Sequence, residues 1–306
     1  MIRAAPITPA RVTVAAVTIG AWLQYSETYI QMLPQKTRAP FLALVFICAA
    51  FLFFVAPIPQ DPAYHNFADR RGFCCRCGHF GFTDDKNRLV VPNFMDVASN
   101  VFIFGGGFFG LLVLALREYL DLAGDEWQLS VCLPILFAST AIITFGSMYY
   151  HWRPCNDTLV WDRLPMTVAF MAIFSFLLDE RLSTDSSETN IGHLILYPLI
   201  VMGMSSVVWW HFTDDLRPYA LVSILPLICI PILLAIYAPK YSGQEYILIA
   251  LFWYVVAKIG EEKDHEIYIL SGKRVSGHSL KHIFAGFVPF TLSYMLIIRQ
   301  PLVDSE

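Results

Sequence analysis

Long apolar runs separated by short polar links dominate the pattern of this chain. A hydrocarbon core about 30 Å thick takes about 20 helical residues to cross. Runs that approach this length cover approximately 40–57, 94–116, 129–150, 164–179, 191–210, 219–238, 245–258 and 279–298. The pattern predicts an all-α polytopic membrane protein with a seven-transmembrane-helix core and one extra N-terminal hydrophobic helix. Pro57, Pro59 and Pro62 close the first run, and the polar stretch 60–91 separates it from a block with short links. The expected layout is an N-terminal interfacial segment and leading helix over 1–63, a seven-helix domain over 64–300 with an insertion at about 74–90, and a tail over 301–306. Val12–Leu23 follows Arg3 and Arg11 as a signal peptide would, but Gln24-Tyr25-Ser26-Glu27 offers no small-x-small cleavage site. It reads as a retained interfacial or partly inserted segment. No internal repeat or low-complexity tract is evident.

Composition sharpens this picture. Of 306 residues, 56% are apolar and only 15% charged, against about 25% charged in a soluble domain. The net charge of -4 supplies no basic field, so nucleic acid is set aside as a partner. Cys48, Cys132 and Cys229 lie in apolar runs, where the thiol acts as a small hydrophobe. Cys74, Cys75 and Cys77 cluster near His79, but no second ligand pair follows at zinc-finger spacing, and unpaired thiols are the reading.

Alternating the spans assigns each loop to one of two faces. The face of loop 58–92 also receives 151–163, 211–218 and 258–278, where the unusual polar residues sit. Thirteen of the 21 Lys and Arg lie near this face, which leans it toward the cytosol.

Ionisable groups in or at the ends of spans are costly, so each is a functional candidate. Ser147 and His151 are four residues apart and share a helical face at the end of one span. Ser276-Gly277-His278-Ser279-Leu280-Lys281-His282 opens the last helix, and two His at i and i+4 can grip one metal ion. The ordinary alternative for each is an interfacial His collar beside a Ser bonded to its own backbone. Summed, His151, His278 and His282 are three His at boundaries on one face, the ligand count of a catalytic zinc with water in the fourth position. Trp161-Asp162-Arg163-Leu164-Pro165-Met166 starts the next helix on that face. Asp162 there reads either as an ordinary N-cap before a first-turn Pro or as the group that moves a proton. Asn93, Asp96 and Asn100 on one face, Arg217 in Asp215-Leu216-Arg217-Pro218-Tyr219, and Lys258, Glu261 and Asp264 at helix spacing read as scaffolding that orients ligands, or as ligands of a second metal. Asp69 with Asn93 is a candidate calcium pair, although no D-x-D-x-D-G loop is present. His211, after Trp209 and Trp210, reads as an aromatic-belt residue, and His65, His79, His193 and His265 have no partner in the sequence that raises them above background.

Taken together these motifs resemble the alkaline ceramidase and alkaline phytoceramidase family, which stands with the adiponectin receptors and Per1-like proteins in a seven-helix zinc hydrolase superfamily. The resemblance rests on Ala68-Asp69-Arg70-Arg71, Pro92-Asn93, Val97-Ala98-Ser99-Asn100, Ser147-x-x-x-His151 and Trp161-Asp162-Arg163-Leu164-Pro165-Met166. It continues in Asp215-Leu216-Arg217-Pro218-Tyr219, Lys258-x-x-Glu261-x-x-Asp264-x-x-Ile267-Tyr268 and Ser276-Gly277-His278-x-x-x-His282, across about residues 64–295. It implies zinc on His151, His278 and His282, a proton-handling Asp162, an oxyanion-stabilising Ser147, and hydrolysis of the N-acyl bond of ceramide, phytoceramide or dihydroceramide. The partners it implies are a membrane lipid and the bilayer, with no protein partner, in the endoplasmic reticulum or Golgi of a eukaryotic cell. The animal branch's N-terminal acidic calcium cluster has no counterpart here, and the leading span and the insertion at 74–90 depart from the family pattern. The competing readings are a non-hydrolytic receptor or lipid-remodelling factor that retains the zinc site, and a transporter or haem carrier, whose repeats or facing His pairs are not evident.

Overall fold

The computed structural model describes residues 54–74, 79–81, 90–119, 130–182 and 191–302, with scattered helical positions at 43, 47 and 50–52. The chain divides into two compact units, Met1–Val55 and Ala56–Glu306. Val12–Leu23 and most of the leading run at 40–57 lie outside the described residues, as do Cys75 and Cys77.

Within the second unit the apolar runs become helices: α1 (Phe94–Ala98), α2 (Val101–Tyr119), α3 (Cys132–Trp152), α4 (Asn156–Leu182), α5 (Ile191–Thr213), α6 (Arg217–Ile236), α7 (Gln244–Glu262), α8 (Asp264–Leu270) and α9 (Gly277–Ile298). Six segments are long and apolar enough to cross a bilayer: 94–117, α3, α4, 194–213, α6 and α9. This is an integral, multi-pass, predominantly helical membrane protein. The seventh expected span, α7, is present as a 19-residue helix but is not among the six. Its last turns carry Lys258, Glu261 and Glu262.

Neighbours follow chain order around the bundle: α2 on α3, α3 on α4, α4 on α5, α5 and α4 on α6, α6 on α7, α7 on α9, and α9 back on α2. The outside is apolar. Phe104, Phe108, Leu112 and Leu116 form an exposed stripe on α2, as Ile224, Ile228, Ile232 and Ile236 do on α6. In water such stripes would be aggregation-prone patches, whereas hydrocarbon solvates them. Tyr149, Trp152, Trp161 and Trp209 are exposed at one end of the bundle, the place for an interfacial aromatic belt.

The run at 94–116 is broken into α1 and α2, and two further features depart from the sequence pattern. The polar stretch after residue 58 contains a small antiparallel sheet, β1 (Gly72–Cys74) between β2 (His79–Gly81) and β3 (Val90–Val91), with Phe73 opposite Phe80 and Val91. The second concerns α4, which starts at Asn156 and not near Asp162. Thr158 accepts from the Cys155 backbone N–H at 3.3 Å, the reciprocal bond of a capping box. Pro165 lies inside the helix, as membrane helices tolerate. Asp162 is therefore no N-cap: it is a helix-interior carboxylate, 4% exposed.

The loops expected on one face do meet there. Ile58 and Gln60 donate backbone N–H groups to Asp215 and Asp214 in the α5–α6 turn, Ala68 donates to Asp264, and His65 bonds Asn156 Oδ1 at 2.9 Å. Asp215 also takes Arg217 N, Nε and Nη2 at 3.1, 2.9 and 2.8 Å. The Arg217 guanidinium holds the Asp215 carboxyl below the ordinary carboxylate range. A carboxylate depressed in the folded state stabilises fully above its unfolded pKa, about 3.9, and loses that contribution as pH falls through the folded value. Asp215→Asn is expected to lower the melting temperature in detergent at pH 7, with the gap to wild type shrinking below about pH 4. A gap that stays constant through acid titration would show the pair to be energetically silent.

Candidate metal centre

The site forms where α3, α4 and α9 end at the face of the gathered loops. Two glycines permit the close approaches. A Cβ on Gly146 of α3 would stand 2.0 Å from the Trp161 carbonyl oxygen of α4, and one on Gly277 of α9 would stand 2.2 Å from the Gly260 carbonyl oxygen of α7. Only glycine lets these backbones come so near. The first contact brings Ser147, 2% exposed, beside the Asp162 carboxylate. The second seats the start of α9. There Ser276 is the N-cap, accepting from Ser279 N at 2.9 Å, and Asp264 accepts from His278 N at 2.8 Å.

His151 comes from the last turn of α3, His278 and His282 from the first two turns of α9. All three are buried, at 0%, 4% and 1% exposure. One ligand atom from each lies within 4.8 Å of the others. Coordination of one ion at about 2.0–2.1 Å would draw these atoms closer together. The rings meet at centroid distances of 4.7, 5.0 and 5.0 Å, and Phe67 covers His151 and His278 at 4.6 and 4.8 Å. Among the described residues this is the group of side chains able to hold a metal ion.

The surrounding hydrogen bonds fit a metal. Ser99 Oγ lies 3.3 Å from the Asp96 carbonyl and 2.8 Å from His282 Nδ1; with the hydroxyl proton on the carbonyl, His282 Nδ1 is the donor of the second pair. His282 Nε2 is then a bare lone pair, and it is buried with no hydrogen-bond partner. Both ring nitrogens of His151 are likewise buried and unpartnered. Unpaired buried nitrogens are costly, and a cation coordinated at the lone-pair positions would offset that cost. His278 Nε2 instead meets Lys281 Nζ at 3.4 Å, a contact that competes with a metal for the same lone pair.

Comparison with family models, with curated proteins and with solved structures returns no match.

The other residues singled out from the sequence fall into three groups. Asp96, fully buried, takes Ser276 Oγ and Ser279 Oγ on one oxygen at 2.9 and 2.6 Å, and the Asn100 amide bonds the Asp96 carbonyl at 2.8 Å. Asn93, at φ 47°, gives its amide to the His151 carbonyl at 2.9 Å, and Asp264 bonds the His278 backbone. These four hold the elements that carry the histidines. Glu261 pairs with Lys281 at 2.6 Å and with Lys258, and accepts from Tyr64 Oη at 3.0 Å. Asp69 and Arg217 belong to the connecting loops and the start of α6. Both Asp69 oxygens are taken by Arg71, at 2.7 and 2.5 Å, and Arg217 holds the α5–α6 turn. Of the candidate calcium pair, Asp69 is engaged by Arg71 through both oxygens and Asn93 through its amide nitrogen.

Sequence reasoning gave no role to Ser99, Phe67, Tyr64 or Lys281. Lys281 alone had a local signal, a cation placed inside the His278-x-x-x-His282 spacing.

Proposed function

We propose that the chain is a zinc-dependent intramembrane amidase that hydrolyses the N-acyl bond of ceramide or a close relative, giving a sphingoid base and a fatty acid. The observation that carries this reading is the convergence of three buried imidazoles, two of them with unpartnered ring nitrogens, inside a bundle whose exterior is apolar. The sequence motifs shared with the ceramidase family supply the substrate class. His151, His278 and His282 would hold the ion. When bound there, zinc supplies Lewis acidity and brings the pKa of a water toward neutrality.

The protein's own groups divide the remaining work. Asp162 accepts the proton of the attacking water and delivers it to the departing amine, which is otherwise a poor leaving group. Ser147, beside it, donates to the oxyanion that develops on the acyl carbon. Lys281, tethered to Glu261 and attracted to Asp162, keeps positive charge at the edge of the site. Phe67 excludes bulk water from the imidazoles, and the apolar bundle accommodates the hydrocarbon chains. An internal membrane of a eukaryotic cell is the setting this substrate suggests.

The test is purification in mild detergent with metal content and product formation measured together. One zinc per chain is expected, with hydrolysis of ceramide, phytoceramide or dihydroceramide that a chelator abolishes and added zinc restores. Bound metal without product across that panel would favour a non-hydrolytic receptor or lipid-remodelling role, and a chain without metal would defeat both.

A further inference from the structure

A buried guanidinium with no carboxylate partner stands next to this centre. Arg163 follows Asp162 on α4 and is 5% exposed. Among the described residues it makes no ion pair. Its Nη2 donates to Gln60 Oε1 at 2.8 Å, and its buried Nη1 has no hydrogen-bond partner. Three aromatic rings surround it, with the guanidinium carbon 4.2 Å from the Trp210 centroid, 4.6 Å from Tyr219 and 5.5 Å from Tyr64. Ring faces offset part of the cost of burying the charge, but they do not replace an acceptor for an N–H. Trp210, 1% exposed, has its indole N–H buried and unpartnered as well. Guanidinium and indole can only donate, so neither satisfies the other. Arg163 Nη1 and the indole N–H packed beside it are thus two buried donors without an acceptor, an arrangement native interiors rarely leave unmet.

The cage is linked to the reacting groups. Tyr64, one of its walls, donates to Glu261 Oε1 at 3.0 Å; Lys281 donates to the same oxygen at 2.6 Å and contacts His278 Nε2 at 3.4 Å. Asp162 precedes Arg163 in the chain. We propose that Arg163 and Trp210 form a headgroup subsite, which binds an acceptor oxygen of the lipid, a hydroxyl or a phosphate, and so orients the scissile amide. This inference rests on the amidase reading for the identity of the lipid. A hydrogen bond to a charged donor is among the stronger ones, so the subsite acts as a specificity determinant.

The test uses full-length protein in detergent and displacement of a fluorescent short-chain ceramide by three lipids with identical chains: ceramide, 1-deoxyceramide and ceramide 1-phosphate. Product formation is followed in the same samples. Wild type is expected to bind ceramide at least about 10-fold more tightly than the 1-deoxy lipid. Arg163→Met is expected to reduce that preference to within about 2-fold, and Trp210→Phe, which keeps the ring and removes only the N–H, to weaken it by about 3-fold or more. Tighter binding of the phosphate lipid in wild type, lost in Arg163→Met, would identify phosphate as the occupant; a preference for ceramide identifies the hydroxyl. Equal binding of ceramide and 1-deoxyceramide by wild type, without a gain for the phosphate lipid, would overturn the proposal. So would a preference that survives both substitutions, or failure of all three lipids to displace the probe. An Arg163-dependent preference without any hydrolysis would sink the amidase reading while leaving the subsite standing.

Discussion

Purified His278→Ala is expected to lose its metal and, with it, essentially all amide hydrolysis. The three imidazoles are the converging ligand set among the described residues, so the variant drops from three protein ligands to two. A catalytic metal contributes several kcal/mol to the transition state, which places the loss in turnover at about 1,000-fold or more. The fold should survive. Asp264 is bonded to the backbone N–H of residue 278, and that bond does not depend on the side chain. Elemental analysis of metal per chain, a turnover assay and a thermal melt on the same preparation separate loss of metal from loss of fold. Ser99→Ala gives the graded version: His282 keeps its side chain but loses the hydrogen-bond partner that orients its ring, and metal affinity should fall about 10- to 100-fold. Retention of full metal occupancy in His278→Ala would refute the triad as the metal centre.

Asp162→Asn is expected to leave the metal in place and lower turnover by about 100- to 10,000-fold, the range for removal of a positioned acid–base group. The substitution preserves shape and removes the capacity to take a proton. The structure makes this test sharper than the sequence could. An N-terminal cap at Asp162 would have given a small stability defect and nothing more, but α4 begins at Asn156 and Asp162 lies beyond its first turn, buried beside Ser147. Metal content equal to wild type with collapsed turnover assigns Asp162 to proton transfer. Turnover within about 10-fold of wild type would move the proton to another group, with Glu261 next in reach through Lys281.

Hydropathy alone was enough to place α3, α5, α6, α7 and α9 to within about four residues, and its run at 94–116 covers α1 and most of α2 together, because hydrocarbon demands a long apolar helix. The start of α4 was misplaced because Pro165 and Asp162 imitate a helix opening, while the bond that sets the true start, from Cys155 N–H to Thr158, leaves no hydropathy signal. The small sheet over 72–91 was missed because its strands are two or three residues long, too short for an alternation to register.

The site shows the same division. The spacing of His278 and His282 is a local property, legible because four residues make about one helical turn. Their meeting with His151, 127 positions earlier in the chain, is not local. It depends on how closely the helices approach one another, which Gly146 and Gly277 permit, and on Asp264 and Asn93 fixing the backbones of two of the histidines. Likewise the sequence presents Lys281, Glu261, Arg163 and Trp210 as separate polar or aromatic residues, and only the packed bundle pairs the first two and encloses the third. By itself the sequence determined that this chain lives in a membrane, about where most of its long helices run and which polar residues are costly there. Tertiary structure decided which of those residues converge, because burial makes an unpaired nitrogen or charge costly only once distant segments have removed its water.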